Sequence, residues 1–307
     1  SETPVPLPGD DEVLIKVKAA GINRADIAQR KGLYPPPPGA SEILGLECSG
    51  IIESVGKNVS ARQPGDEVIA LLGGGGYGEY VTCPQFHTLY KPANLNWIEA
   101  ASIPEVYATC WLNLFMEASM KEGDKVVFHA GASGIGTAGI QLAKAFGCES
   151  FVSAGSKNKI DMCINLGASD GEVRSRDIFS KIKSWAPEGV DVILDPVGAE
   201  YFESNLNVLG IEGRLVIIGL MSGAQTNLNL GHLMIKRQKI IGSTIRARNV
   251  ETKNIVMEEL SQKVLPLFKS GELIPIIHET YPLSESEKAH EIMEANENIG
   301  KIILTLD

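Results

Sequence analysis

Two kinds of hydrophobic pattern divide this chain. Up to about residue 105 the apolar positions come in short, alternating segments, as where Val13, Ile15 and Val17 are separated by Leu14 and Lys16. A period of two is typical of half-buried β-strands. Turn sequences rich in Pro, Gly and Asp separate these segments, for example at 64–66. We expect this region to consist mainly of short strands.

From about residue 107 the pattern changes to alternating strands and helices. The apolar segment 125–129 precedes a glycine-rich loop, after which Ile135, Leu142 and Phe146 share one face at helical spacing. Further candidate strands lie at 151–154, 191–195, 215–219 and 240–245. This alternation predicts an α/β fold with a doubly wound parallel sheet, covered by helices on both faces.

The end of the chain, from about residue 248, differs again. The pattern predicts a helix around 256–268 and strand-like segments at 274–277 and 302–306. We expect this tail to rejoin the first region. The sequence thus predicts two domains: residues 107–247 form the domain of alternating strands and helices, and residues 1–106 and 248–307 form a β-rich domain built from both ends of the chain.

Composition and charge then exclude several classes of function. A net charge of −10 over 307 residues argues against a nucleic-acid partner, because phosphate contacts need clustered Lys and Arg. No apolar run approaches the ~20 residues of a membrane span, and no signal peptide is visible, so we expect no membrane partner. Five scattered cysteines without C-x-x-C spacing suggest free thiols. We expect a cytoplasmic protein.

The glycine-rich loop after segment 125–129 carries the clearest chemistry. Gly131, Gly134 and Gly136 stand at a strand-to-helix turn, close to G-x-G-x-x-G but with Ser133 at the second glycine position. Such a turn brings backbone N–H groups against a pyrophosphate. The candidate cofactor-binding residues here are Gly131, Ala132, Ser133, Gly134 and Ile135. We expect Ser133→Val to weaken cofactor binding and to leave the stability of the cofactor-free protein nearly unchanged.

The next strand indicates which dinucleotide binds. NAD-preferring sites place an acidic residue about 20 positions after the glycine loop, on the ribose 2′-hydroxyl. Here segment 151–154 ends in Gly155, Ser156, Lys157, Asn158 and Lys159, without a carboxylate. Small residues, a hydroxyl and two ammonium groups suit an additional phosphate, although both lysines can also be merely solvated. The sequence favours NADPH.

At this point the chain resembles a known family. It is similar to the zeta-crystallin-like quinone oxidoreductases of the medium-chain dehydrogenase/reductase superfamily, and within them to the tumour-suppressor-inducible branch. The matching stretches follow the family's order over nearly the full length; they are 21–26, 32–37, 44–50, 64–66, 131–136, 218–221 and 298–301.

The resemblance implies an architecture and an activity. It implies a barrel-like catalytic domain from both chain ends, a Rossmann domain, and NADPH-dependent reduction of a quinone or activated carbonyl substrate by hydride transfer in the interdomain cleft. It also implies a homodimer or a homotetramer. Zinc alcohol dehydrogenases of the superfamily carry Cys where Asn23 stands and His where Leu46 stands. Neither Asn nor Leu is an ordinary zinc ligand, so we expect no metal.

The resemblance also implies roles for individual residues. Asn23, Tyr34 and Thr109 are candidates for contacts with the substrate or the nicotinamide; a turn, loop packing and an ordinary helix hydroxyl are the alternatives. The remaining candidates for the cofactor are Lys159 and Arg174 for the adenosine phosphate, Gly155 and Ser156 beside it, Gly219, Leu220 and Met221 for the nicotinamide half, and Arg246, Asn298 and Lys301. For the last three residues a surface role is the alternative.

Other readings compete with a quinone reductase. A short-chain dehydrogenase needs a Tyr followed four positions later by Lys, and none of the seven tyrosines has one, so this class is excluded. A medium-chain enoyl or alkenal reductase, acting on activated C=C bonds, shares the fold, the cofactor and the lack of zinc. An NADPH-binding structural or sensor protein is the alternative that is not an enzyme. No side chain stands out as the proton donor.

Overall fold

The computed structural model describes residues 3–175 and 177–306. It consists of two compact units. Unit 1 comprises the chain up to Ala108 and from Ile245 onward, and unit 2 comprises Thr109–Thr244. Within the described residues, no helix is long and apolar enough to cross a lipid bilayer.

The first part of unit 1 is rich in strands, as the alternating pattern predicts. Its strands are β1 (Glu12–Gly21), β2 (Glu47–Val55), β3 (Glu67–Leu71), β4 (Tyr80–Pro84) and β5 (Thr88–Tyr90). Its helices are α1 (Arg24–Arg30), α2 (Trp97–Ala101) and α3 (Pro104–Cys110), whose last two residues already belong to unit 2. In β1 the side chains of Val13, Ile15 and Val17 are buried and Lys16 is partly exposed, but Leu14 is buried as well, so the strand is not half-buried throughout as its alternation predicts.

Unit 2 alternates strands and helices. A π-helical segment (Trp111–Glu117) is followed by β6 (Lys125–Phe128), α4 (Gly134–Ala145), β7 (Glu149–Ala154), α5 (Lys157–Leu166), β8 (Asp170–Val173), α6 (Ile178–Trp185), β9 (Val190–Asp195), α7 (Ala199–Val208), β10 (Leu209–Ile217), α8 (Leu230–Lys236) and β11 (Lys239–Gly242). The strands form a parallel sheet in the order β11-β10-β9-β6-β7-β8. The predicted doubly wound sheet is confirmed. Strand β8 was not expected from the hydrophobic pattern, because Asp170, Gly171 and Glu172 carry no apolar side chain.

The tail returns to unit 1 through α9 (Val250–Glu259), a π-helical turn (Leu260–Val264), α10 (Leu265–Ser270), β12 (Ile277–Pro282), α11 (Ser286–Glu294) and β13 (Lys301–Thr305). The strand predicted at 274–277 was misplaced, since β12 only begins at Ile277. Pro275 lacks the backbone N–H that a paired strand needs, which explains the later start.

Strand β13 joins the two chain ends of unit 1. It pairs antiparallel with β1, where Ala20 lies opposite Leu304, and parallel with β12. The sheet has the order β12-β13-β1-β2-β3-β5, and β4 also pairs with β1. Buried side chains from β1, β2, β3 and β4 form the main apolar core of this unit.

Candidate functional site

The glycine-rich loop lies at the carboxyl end of β6, next to β9, where the sheet order changes direction. This topological switch point is where doubly wound folds bind nucleotides. Gly131 and Gly136 are required for the turn itself. A Cβ on Gly131 would lie 2.7 Å from Cβ of Val152, and a Cβ on Gly136 would lie 2.3 Å from the carbonyl oxygen of Gly131.

Ser133 is the N-cap of α4. Its Oγ accepts a hydrogen bond from the backbone N–H of Gly136 at 3.1 Å. Among the described residues, the N–H groups of Gly134 and Ile135 have no protein partner, as is usual in the first turn of a helix. Together with the positive end of the helix dipole, they suit a pyrophosphate. The loop residues therefore fit a dinucleotide.

The N-cap role corrects one expectation from the sequence. Replacing Ser133 with Val removes the oxygen that caps α4, which typically destabilises a protein by about 1 kcal/mol. We therefore expect Ser133→Val to lower the free energy of unfolding of the cofactor-free protein by about that amount in urea denaturation. Ser133→Thr keeps a capping hydroxyl and serves as the control. Equal stability of the Val variant and the parent would contradict the capping role.

The tip of β7 carries the residues assigned to the adenosine phosphate. Lys157 forms an exposed ion pair with Asp161 at 2.8 Å, and a hydrogen bond in this pair raises the pKa of Lys157. Lys159 is partly buried near Cys163. Arg174 follows β8 and donates its backbone N–H to Ala154 at 2.8 Å. Its guanidinium lies 3.5 Å from the position of a Cβ on Gly155. The structure thus brings Gly155 and Arg174 together at one edge of the sheet, and Lys159 lies in the first turn of α5, four positions after Gly155.

A buried hydrogen-bond chain fixes the carboxyl ends of β6, β7 and β9. His129 Nδ1 lies 3.0 Å from Ser153 Oγ, and its Nε2 lies 2.7 Å from Asn205 Oδ1. Asn205 donates through Nδ2 to Asp195 at 3.1 Å. Because its amide nitrogen faces Asp195, the Asn205 oxygen accepts from the His129 ring. Burial lowers the pKa of His129 to about 4, so the ring is neutral at pH 7.

Gly219, Leu220 and Met221 follow β10 after Ile218 and lie at the same carboxyl edge. A Cβ on Gly219 would lie 2.8 Å from the carbonyl oxygen of Pro196, so only glycine allows this close approach. Met221 donates its backbone N–H to the same oxygen at 3.2 Å. The side chains of Leu220 and Met221 are exposed. They therefore form an apolar surface beside the loop that follows β9.

In unit 1, Asn23 and Lys301 belong to one buried polar cluster. Lys301 Nζ forms an ion pair with Glu47 Oε1 at 2.6 Å and donates to Asn23 Oδ1 at 2.7 Å. Asn23 Nδ2 donates to Glu47 at 2.9 Å, and its backbone N–H is held by Asp26. Both ends of the Asn23 amide are therefore engaged by the protein, in the turn that begins α1. A contact with substrate stays a prediction.

Arg246 fixes the segment that carries Tyr34. Its guanidinium donates to the carbonyl oxygen of Gly73 at 2.8 Å and to Gln29 Oε1 at 2.6 Å. It also donates to the Tyr34 carbonyl at 3.3 Å and lies 5.4 Å from the centre of the Tyr34 ring. Lys253 in turn donates to the Arg246 carbonyl at 2.7 Å. The ring of Tyr34 is partly buried under this arrangement.

For the three cofactor candidates nearest the C-terminus, the alternative of a surface role is wrong. Arg246, Asn298 and Lys301 are all buried, and Asn298 donates to the Gly300 carbonyl at 2.8 Å. Thr109, the first residue of unit 2, is partly exposed, and its carbonyl accepts a hydrogen bond from Asn113 at 2.8 Å. A contact between the Thr109 hydroxyl and the substrate or the nicotinamide stays a prediction.

The hydrophobic pattern does not indicate Glu105, which lies in the first turn of α3. Its side chain is buried, and its backbone N–H donates to Glu47 Oε2 at 2.8 Å. Burial, reinforced by the negative charge of Glu47, raises the pKa of this carboxyl to about 8. A single Glu beside a proline gives no periodic signal, so only the three-dimensional arrangement reveals it.

The residues at the superfamily's zinc positions do not fit a metal. The Asn23 amide is engaged by protein groups, and Leu46 is a buried apolar side chain. Over the described part of the chain, no group of three or more His, Cys, Asp or Glu side chains is arranged to hold a metal ion.

Comparisons with known proteins agree with this architecture. Residues 9–93 match the alcohol dehydrogenase GroES-like domain, and residues 134–262 match the zinc-binding dehydrogenase family. The quinone oxidoreductase of Homo sapiens is 33% identical over 311 residues, covering 100% of this chain and 92% of the relative. The synaptic vesicle membrane protein VAT-1 homolog of Danio rerio is 30% identical over 96% of this chain; the match spans 64% of that relative's length.

Solved structures are similar over the full chain. Quinone oxidoreductase from Escherichia coli, in complex with NADPH, has a TM-score of 0.88 at 28% identity, covering 100% of this chain and 95% of the other. The CurK enoyl reductase has a TM-score of 0.85 at 29% identity, covering 100% of this chain and 94% of the other.

Proposed function

Because the chain belongs to the medium-chain dehydrogenase/reductase superfamily, and to its oxidoreductases, we propose that it uses NADPH to reduce quinones and related activated carbonyl compounds. The observation that carries this proposal is the nucleotide loop at the carboxyl end of β6. There Gly134 and Ile135 present unpartnered N–H groups among the described residues. When bound, NADPH supplies a hydride from its nicotinamide ring.

In this proposal, different residues of unit 2 contact different parts of the cofactor. Residues 131–135 hold the pyrophosphate, and Gly155, Ser156, Lys159 and Arg174 hold the adenosine ribose and its phosphate. Gly219, Leu220 and Met221 border the nicotinamide half. A preference for NADPH over NADH is supported by the cationic edge formed by Lys159 and Arg174, because a phosphate contact is strongest with a cationic donor.

The residues at the zinc positions, Asn23 and Leu46, support an electron-poor carbonyl compound as the substrate. Without a Lewis acid, an alcohol dehydrogenase loses its usual means of stabilising an alkoxide. Quinones need less help, because the carbon that accepts the hydride is already electron-poor. We assign Tyr34 and Thr109 to contacts with the substrate or the nicotinamide. The polar groups of Asn23, Lys301, Arg246 and Asn298 bind protein atoms of unit 1, which holds that part of unit 1 in place, and their contacts with substrate or cofactor remain predictions.

Reduction of activated C=C bonds is the second candidate. It is favoured by the similarity to an enoyl reductase structure at nearly the same TM-score as the quinone oxidoreductase. An NADPH-binding structural or sensor protein would share the nucleotide loop and differ only in lacking turnover.

A steady-state screen of NADPH oxidation separates these functions. The purified protein is dialysed against a strong chelator and assayed with a series of quinones, with enones, and with no acceptor. We expect quinones to give the highest kcat/KM and dialysis to leave the rate unchanged. Higher kcat/KM for enones would favour the second candidate. Tight NADPH binding without turnover would indicate the sensor, and loss of activity together with stoichiometric zinc would contradict the metal-free proposal.

We further propose a homodimer or homotetramer in the cytoplasm. Strand β11 is at the edge of its sheet, and the neighbouring helix α8 exposes Leu230, Met234 and Ile235 to at least two thirds of their full areas. Exposed apolar patches of this kind are typical of protein interfaces. The five cysteines are free and buried, which suits a reducing compartment. Sedimentation equilibrium should give at least twice the mass of one chain.

A further inference from the structure

Glu105 has an unusual position for a carboxyl group. It is only 9% exposed, and its backbone is fixed by the hydrogen bond from its N–H to Glu47. Among the described residues, no hydrogen bond or ion pair holds its own carboxyl group. Buried carboxylates are normally paired, so an unpartnered one is a candidate for a functional role.

The cations around Glu105 are already committed to other acceptors. Lys301, from β13, pairs with Glu47 and Asn23. Arg246 binds two carbonyls and a glutamine, and Lys253, from α9, donates to the Arg246 carbonyl. Among the described residues, none of these cations forms an ion pair with the Glu105 carboxyl group.

Negative groups face Glu105 from two other elements. Burial is the largest cause that disfavours ionisation of Glu105, and the negative charges of Glu47 from β2 and Asp26 from α1 disfavour it further. Lys301 and Lys253 act in the opposite direction but do not outweigh these effects, and the pKa stays raised, at about 8. At neutral pH the protonated acid predominates.

The same carboxyl group lies near Tyr34. Its negative charge contributes to the raised pKa of the Tyr34 hydroxyl, after burial of the ring. Tyr34 is also held under the Arg246 guanidinium, so the three side chains occupy one region of unit 1. Tyr34 is a residue that we assign to the substrate, which places an acid beside the proposed substrate site.

We propose that Glu105 is the acid that completes the reduction, donating its proton to the substrate oxygen. This inference rests on the proposed function. With NADPH bound, hydride addition to the substrate would move the C=O electron pair to oxygen, and the Glu105 O–H would donate its proton to that oxygen. Water then returns a proton to the Glu105 carboxylate. The nicotinamide is oxidised, the quinone or enone is reduced, and one proton is consumed.

Three variants test this role. Glu105→Gln keeps the shape of the side chain but cannot donate a proton as an acid, Glu105→Asp keeps the acid, and Glu287→Gln changes an exposed Glu in the first turn of α11. With quinone and NADPH, we expect Glu105→Gln to lower kcat ~100-fold and to remove the fall in kcat above about pH 8. KM for NADPH should not change. Glu105→Asp should restore the pH dependence in part, and Glu287→Gln should match the parent.

A second readout needs no cofactor. Between about pH 5 and pH 8 the Glu105 side chain is protonated when folded and ionised when unfolded, so the unfolded state binds fewer protons and stability falls as pH rises. Glu105→Gln lacks this dependence. The melting temperature of the cofactor-free Gln variant should therefore rise relative to that of the parent as pH increases through this range.

The outcomes separate the two proposals. A parent protein that oxidises no NADPH with quinones or enones would overturn both. An active parent with an unchanged kcat and pH profile in Glu105→Gln would overturn the role of Glu105 and leave the proposed function standing. A Gln variant that is less stable than the parent at pH 8, with an unchanged pH profile, would show that Glu105 is an ionised counter-charge and would also overturn the inference.

Discussion

Replacing Lys301 with Met should lower the free energy of unfolding by about 3–5 kcal/mol. The side chains of Lys301 and Glu47 are 4% and 0% exposed, and their charged atoms are 2.6 Å apart. Removing the ammonium group leaves the Glu47 carboxylate buried without its counter-charge. It also removes the donors to the Ile22 carbonyl and to Asn23. Urea denaturation at pH 7 measures the loss, from the midpoint at an unchanged slope.

A surface lysine of the same unit provides the control. Lys57 pairs with Asp10 at 2.8 Å, but both side chains are largely exposed. Exposed pairs contribute about 0–1 kcal/mol, so Lys57→Met should be nearly neutral. The double variant Lys301→Met, Glu47→Gln should recover part of the loss, because no unpaired charge remains buried. Equal stability of the Lys301 and Lys57 variants would contradict this view of the cluster.

Replacing Lys159 with Ala should weaken NADPH binding about 10- to 100-fold. A charge-assisted hydrogen bond to a phosphate contributes roughly 1.5–3 kcal/mol, which corresponds to that range of dissociation constants. NADH lacks the 2′-phosphate, so its affinity should barely change. Titration of each cofactor by its fluorescence gives both dissociation constants on the same protein samples.

Lys157 is the matched control for this measurement. It lies two positions away on the same helix and is already paired with Asp161. We expect Lys157→Ala to weaken NADPH much less than Lys159→Ala does. Equal losses of NADPH and NADH affinity in Lys159→Ala would mean that the lysine acts on the shape of the site, and not on the 2′-phosphate.

The fold of unit 2 could be predicted well because its pattern is local. Apolar segments such as 125–129 and 191–195 are strands that are buried in a parallel sheet, and their flanking turns are marked by glycine. Strand β8 was missed because its residues are polar and only partly buried. In that case pairing with β7, and not hydrophobicity, determines the conformation.

The candidate site was less predictable in unit 1, because its cluster joins distant parts of the chain. Asn23 lies directly before α1, and Glu47, Glu105 and Lys301 come from β2, α3 and β13, so no sequence spacing connects them. The family resemblance indicated Asn23 and Lys301 as site residues. It did not indicate the hydrogen bond between their side chains. No sequence pattern indicated Glu105, because its raised pKa comes from burial and from neighbouring charges, and not from its residue type.

Anaerobic single-turnover oxidation of NADPH by a quinone tests the central claim most directly. The chelator-treated protein is mixed with NADPH, or with NADPH deuterated at the transferred position, and the loss of the reduced nicotinamide absorbance is followed after quinone is added. The account predicts stoichiometric oxidation that is slower with the deuterated cofactor, because the hydride is transferred in the chemical step. Bound NADPH that stays reduced in the presence of every quinone would contradict it.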